Sequence, residues 1–196
     1  MFPLTINELL SAIAIALTFI AFYPYLRSIH KGETKPHYFS WVIWGLTTLV
    51  VFFAQLGDQG GVGSWPIGLS GILTLYVALV AFLKRSDSSI TSLDWWLFLM
   101  ALSALPLWYF TSNALWAVVL LTFVDTLGFG PTFRKAYNFP LEENLSMYEI
   151  MALRNLIASL ALEHYSIITL LFPTVSGVSC LVFVAMVRIR RLGWPA

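Results

Sequence analysis

Charge is what this sequence has least of. Asp, Glu, Lys and Arg make up 11% of its 196 residues, against about a quarter in a soluble domain, while 59% are apolar. That balance excludes a water-soluble globular domain and calls for an integral membrane protein. The length fits about seven spans with short loops and leaves no room for a separate soluble domain. Cysteine is nearly missing too. Cys180 stands alone, which excludes an internal disulfide and a thiolate metal site. The three histidines, His30, His37 and His164, fall in loops or on opposite sides of the bilayer, so no histidine metal cluster is expected. Gly57, Gly60, Gly61 and Gly63 have no Lys-Ser/Thr after them and form no phosphate loop. No Ser-His-Asp or Cys-His set converges at one depth. The sequence therefore predicts no enzyme, no metal and no cofactor. With a net charge of +1 and no basic soluble face, nucleic acid is not an expected partner either. Met1–Asn7 carries no Lys or Arg and no small-residue cleavage site follows, so a cleavable signal is not expected.

What is present is a series of apolar stretches: Ile6–Leu26, Phe39–Leu56, Trp65–Leu83, Leu93–Phe110, Asn113–Thr132, Met147–Leu162 and Ile167–Val187. Each is long enough to be read as a span. Thr5-Ile6-Asn7-Glu8 reads as a capping box opening the first, and Ser146-Met147-Tyr148-Glu149 as one opening the sixth. Pro24 and Pro131 are read as ending the first and fifth spans, Pro66 and Pro173 as first-turn residues of the third and seventh, and Thr111-Ser112-Asn113 as a tight turn between antiparallel neighbours. Ten of the eleven Lys and Arg residues fall in the loops after the odd-numbered spans, and the opposite side holds only Glu8, Asp58 and Glu163. The positive-inside rule then places the N-terminus outside and the C-terminus in the cytoplasm. Short loops favour a bacterial inner membrane.

The chain also repeats itself. Shifted by 107 residues, Pro24 meets Pro131, Arg27 meets Arg134, Pro66 meets Pro173 and Lys84 meets Arg191, without a gap. The reading is an all-α membrane protein of two parallel three-helix units. Residues 1–85 form the first bundle, 86–112 hold a linker helix, and 113–196 form the second bundle.

Tyr23-Pro24-Tyr25-Leu26-Arg27, the polar stretch to Pro36, Phe39-Ser40-Trp41, and the second copy Gly130-Pro131-Thr132-Phe133-Arg134-Lys135 carry a family likeness. In these residues and in its 3+1+3 plan the chain resembles the PQ-loop superfamily, which includes SWEET-like sugar transporters and seven-span vitamin transporters. The resemblance covers roughly residues 18–85 and 125–191. Tyr25 and Thr132 stand where that family has glutamine, and the second helix of each unit lacks the prolines of its sugar-carrying members. The resemblance implies a transporter of a small molecule, with a sugar not the expected one.

Polar side chains inside the spans mark the candidate site. Ser40, Trp44, Thr47, Thr48 and Gln55 share one face of the second span within about 100°. The repeat register pairs Thr47 with Arg154, Thr48 with Asn155, and Thr18 with Asp125. Asp125 and Arg154 are the two charges deep in the spans, and a direct or ligand-bridged pair is expected. The expected binding residues are thus Trp44, Thr47, Thr48, Gln55, Asp125, Arg154 and Asn155, with Pro24 and Pro131 as hinge candidates. Trp41, Trp65, Trp95, Trp96, Trp108 and Trp116 read as interfacial belt. The expected function is alternating-access transport of a small polar metabolite, zwitterionic or anionic because of Arg154. The alternative is a receptor or accessory subunit on the same fold. The lipid bilayer is the other partner, and a homo-oligomer is left open.

Overall fold

In the computed structural model, the residues described are 4–33, 36, 38–84, 92–138, 140–142 and 145–193. They form seven α-helices and two short 3₁₀ turns, and no strand occurs among them. The helices are α1 (Ile6–Lys31), α2 (Tyr38–Gly57), α3 (Trp65–Leu83), α4 (Ser92–Thr111), α5 (Ala114–Asn138), α6 (Leu145–Leu160) and α7 (Ile167–Leu192). The 3₁₀ turns are Gly61–Ser64 and Pro140–Glu142. Four segments are long and apolar enough to cross a bilayer: α1, α2, Gly61–Leu83 and α7. Trp95–Thr111 and Ala114–Gly130 are shorter apolar stretches. The chain has the makeup of an all-α integral membrane protein. Of the seven expected spans, α6 stands apart, because its 16 residues include Arg154 and Asn155, both buried. Large apolar side chains such as Phe19, Phe53, Leu79, Phe123, Leu156 and Leu181 lie exposed on the outer surface, as they do where the solvent is lipid.

The two halves of the sequence are packed alike. In the first, α3 lies against both α1 and α2; in the second, α7 lies against both α5 and α6. Across the halves, α1 packs on α6 and α2 packs on α5, while α4 covers α5 and α2. Helix limits follow the same offset: α2 starts at Tyr38 and α6 at Leu145, 107 residues later. Thr5 closes the expected capping box with Glu8 at the start of α1. The second expected box does not form as read. Leu145 already begins α6, so Ser146 lies inside the helix, and Glu149 instead pairs with Arg188 at 2.7 Å. Ser166 and Thr169 make a capping box at the start of α7, a Ser-x-x-Thr pattern that lacks the usual acid.

Proline placement corrects the sequence reading at three points. Helix α1 runs through Pro24 to Lys31, and α5 runs through residue 131 to Asn138. Neither proline ends its helix; the side chain of Pro131 lies outside the described residues. Transmembrane helices tolerate such prolines where neighbouring helices cover the loosened turn. Pro173 lies seven residues into α7 rather than in its first turn. A helical proline lacks the N–H that would serve the carbonyl four residues back. For Pro173 that carbonyl belongs to Thr169, and Gln55 Nε2 donates to it at 2.6 Å. For the matching Pro66 it belongs to Val62, and Ser11 Oγ donates to it at 2.6 Å. The Val62 carbonyl also accepts the Trp65 backbone N–H, so the one orphaned by an interior proline is that of Thr169, served by a side chain of another helix.

These bonds belong to a polar lattice that joins the halves at the α1 N-terminal end. Asn7 Nδ2 donates to the carbonyls of Ala161 and Leu162 at 3.2 and 3.1 Å. Val62 N–H donates to Glu163 Oε1, and Glu163 N–H to the Gly60 carbonyl, both at 3.2 Å. Ser166 Oγ donates to the Asp58 carboxylate, and His164 Nδ1 lies 3.0 Å from the Asp58 carbonyl. At the opposite end, Lys84 bonds His30 and Arg188 bonds Glu149, each within its own half.

Candidate functional site

Between the halves lies a cavity of about 120 Å³, displaced toward the α1 C-terminal end. Phe22 and Tyr25 of α1, Trp41, Trp44 and Thr48 of α2, and Ser70 and Thr74 of α3 line it from the first half. From the second half come Asp125 and Phe129 of α5, Met147, Tyr148, Met151, Arg154 and Asn155 of α6, and Phe172, Ser176 and Cys180 of α7. Five of the seven expected binding residues therefore meet here: Trp44, Thr48, Asp125, Arg154 and Asn155.

Thr47 and Gln55 do not. Thr47 is buried and its hydroxyl donates to the Trp44 carbonyl one turn back at 2.9 Å. Gln55 sits nearer the other end of α2 and is occupied by the Thr169 carbonyl. Its place in the polar stripe reflects repair of the backbone left open at Pro173. Thr18, the register partner of Asp125, likewise bonds its own helix at Ala14, 2.8 Å away.

The two deep charges are both buried, Asp125 with 7% of its surface exposed and Arg154 with 2%. They do not touch. No ion pair within 4.0 Å joins them among the described residues, and the direct pair expected from sequence is absent. The reason is topological, since α7 packs against both α5 and α6 and lies between the helices that carry them. Arg154 Nη1 donates to Asn155 Oδ1 at 2.6 Å, and Asn155 Nδ2 reaches Ser176 Oγ at 3.5 Å. Arg154 Nε is buried with no hydrogen-bond partner, and no bond to the Asp125 carboxylate forms among the described residues. An uncompensated charge held out of water costs several kcal/mol, so neither group would hold its charge here without a partner.

No family model matches this sequence, and no curated protein or solved structure matches it. The site therefore stands on its own geometry.

The aromatic wall is the part that sequence reading missed. Trp41, read as interfacial belt, is 8% exposed, stacks on Tyr25 at 5.0 Å and meets Trp44 edge-on at 5.8 Å. Trp65, Trp95, Trp96 and Trp116 are exposed, and Trp108 is partly buried against α5 neighbours. Phe22 and Tyr25 of α1 cover Trp41 from the neighbouring helix, a tertiary contact that its place near the start of α2 does not reveal. Trp44 crosses to the second half, with its ring 5.9 Å from that of Phe129. It fits there because Gly128 has no side chain; a Cβ at that position would run into Trp44 Nε1. Gly128→Ala is expected to push the indole into the cavity while leaving the helices folded. Intrinsic tryptophan fluorescence should shift, and ligand affinity should fall about tenfold. An unchanged spectrum with unchanged affinity would remove Trp44 from the site.

Proposed function

We propose that this protein is a transporter of a small polar metabolite, zwitterionic or anionic, on the SWEET-like plan. Its seven helices all cross the membrane as two parallel three-helix units joined by α4, with the N-terminus outside a bacterial inner membrane and the C-terminus in the cytoplasm. The two units rock around the cavity so that it faces each side in turn. The observation that carries this reading is a cavity between like-packed halves that holds two buried, unpaired charges. A structural ion pair would have brought Asp125 and Arg154 together. The polar lattice at the α1 N-terminal end supports the same motion, because it joins the halves on one side of the cavity and the aromatic residues border it on the other. In this reading Pro24 and Pro131 are hinge positions, each leaving a helical carbonyl, at Ile20 and Leu127, without its usual donor.

Counterflow in proteoliposomes tests the proposal. Vesicles preloaded with an unlabelled amino acid or carboxylic acid, drawn from a panel, should accumulate the same labelled compound for at least one member. Arg154→Ala should cut that exchange by at least about 30-fold, the cost of leaving a charged ligand group unpaired. Saturable binding with no counterflow would replace transport by the receptor reading.

A further inference from the structure

The two deep ionisable side chains that line the cavity sit on one unit and its two tryptophans on the other, with further aromatic rings on both. Asp125 belongs to α5, Arg154 and Asn155 beside it to α6, and Ser176 beyond them to α7. Trp41, Trp44, Tyr25 and Phe22 belong to α1 and α2. Each class of ligand can be weighed against that layout. An anion would satisfy Arg154 and face the Asp125 carboxylate, which repels it. A cation would satisfy Asp125 and leave Arg154 uncompensated. A neutral polar molecule would complete neither charge. A ligand bearing both signs completes both and enters the site with no net charge.

We infer that the ligand of this cavity is an amino acid with an apolar side chain, bound with its ammonium on Asp125 and its carboxylate on Arg154. This deepens the reading of the cavity as a solute site and rests on it. Asn155 holds one end of the guanidinium through the 2.6 Å bond to Nη1, which fixes the plane that meets the carboxylate. Nε, buried without a partner, gains one from a carboxylate lying along the same edge. The apolar body lies against Trp44 and Phe129, whose rings are 5.9 Å apart. The ligand is held by the second unit, and the first unit supplies the wall that slides past it.

The test is equilibrium binding to the purified protein in detergent, with two matched sets of probes. One is leucine with isoamylamine and isocaproate; the other is phenylalanine with phenethylamine and hydrocinnamate. Each analogue keeps the apolar body and deletes one charge. At least one amino acid is expected to bind, at least about 30-fold more tightly than its own amine and its own acid. Asp125→Asn should reverse the order in favour of the acid, and Arg154→Gln in favour of the amine. A structural role for either residue would weaken all three probes together and leave their order intact. If the acid matches the amino acid on the unaltered protein, the ligand is an anion and the inference is wrong. If neither amino acid binds, it is wrong as well. The comparison on the unaltered protein decides the class even where a variant fails to fold. No flux is measured, so absent counterflow with intact amino-acid binding would refute transport and leave the ligand class standing.

Discussion

Replacing Gly63 with alanine should open the sealed end of the molecule. The Cβ of the new residue would meet Leu162 N and lie 2.5 and 2.6 Å from the carbonyl carbon and oxygen of Ala161. These are backbone atoms at the end of α6, and they have no rotamer through which to escape. The same backbone is held by Asn7 at 3.1 and 3.2 Å, and the adjacent Glu163 is tied to Gly60 and Val62. Crowding of this kind costs about 3 kcal/mol, toward the upper end for one added methyl group, because nothing flexible surrounds it. The strain is relieved if the Gly61–Ser64 turn lifts away from the second half. The readout is built into the chain. Cys180, its single cysteine, lines the cavity and is 4% exposed. Membrane-impermeant maleimide, added on the side of the α1 N-terminus, should label Cys180 several-fold faster in Gly63→Ala than in the unaltered protein. Glu163→Ala, which removes only the bond from Val62 N–H, should move labelling the same way by less. Equal labelling rates in all three proteins would mean that the lattice does not seal the cavity.

The second large effect concerns Gln55. Gln55→Leu keeps the volume but leaves the Thr169 carbonyl buried without a donor, at an expected cost of about 2 kcal/mol. Pro173→Ala should then rescue it, because alanine restores the N–H that serves Thr169 within α7. Melting temperatures of the two single variants and the double variant form the cycle. Gln55→Leu should fall by about 5 °C, Pro173→Ala should change little, and the double variant should recover most of the loss. Additive losses would break the link between the side chain and the proline. A substrate role for Gln55 predicts something else again: normal stability with weakened binding.

Gln55 also shows where the sequence could and could not be read. Its helical face was legible, since 3.6 residues per turn put it in line with Trp44 and Thr48. Its depth was not, because a helical projection discards the axial coordinate. Seven residues separate Thr48 from Gln55, about 10 Å along α2, which is the difference between the cavity and the sealed end. The common register of the two halves was legible for another reason, although both helices run past the prolines read as their ends. A duplicated chain reports each boundary twice, and α1 and α5 agree in register to within a residue at both ends. Trp41 was misplaced because its position near the start of α2 suggested an interfacial side chain, whereas Phe22 and Tyr25 of α1 pack over it. Depth alone left a direct and a ligand-bridged Asp125–Arg154 pair equally open, and only the direct one is absent among the described residues. The two charges lie on helices separated by α7, an arrangement that no count of residues along the chain contains. The Ser166–Thr169 cap escaped because its third helical residue is threonine rather than glutamate.

Asp125 and Arg154 ride on the same three-helix unit and sum to no net charge. A carrier that turns this unit relative to the bilayer moves no net charge through the electric field, whether it is empty or holds a zwitterion. At about 2.3 kcal/mol per elementary charge per 100 mV, even one unbalanced charge would let voltage dominate the cycle. If the protein carries a zwitterion as proposed, that step is electroneutral, and an imposed potassium diffusion potential should leave the initial rate of uptake unchanged.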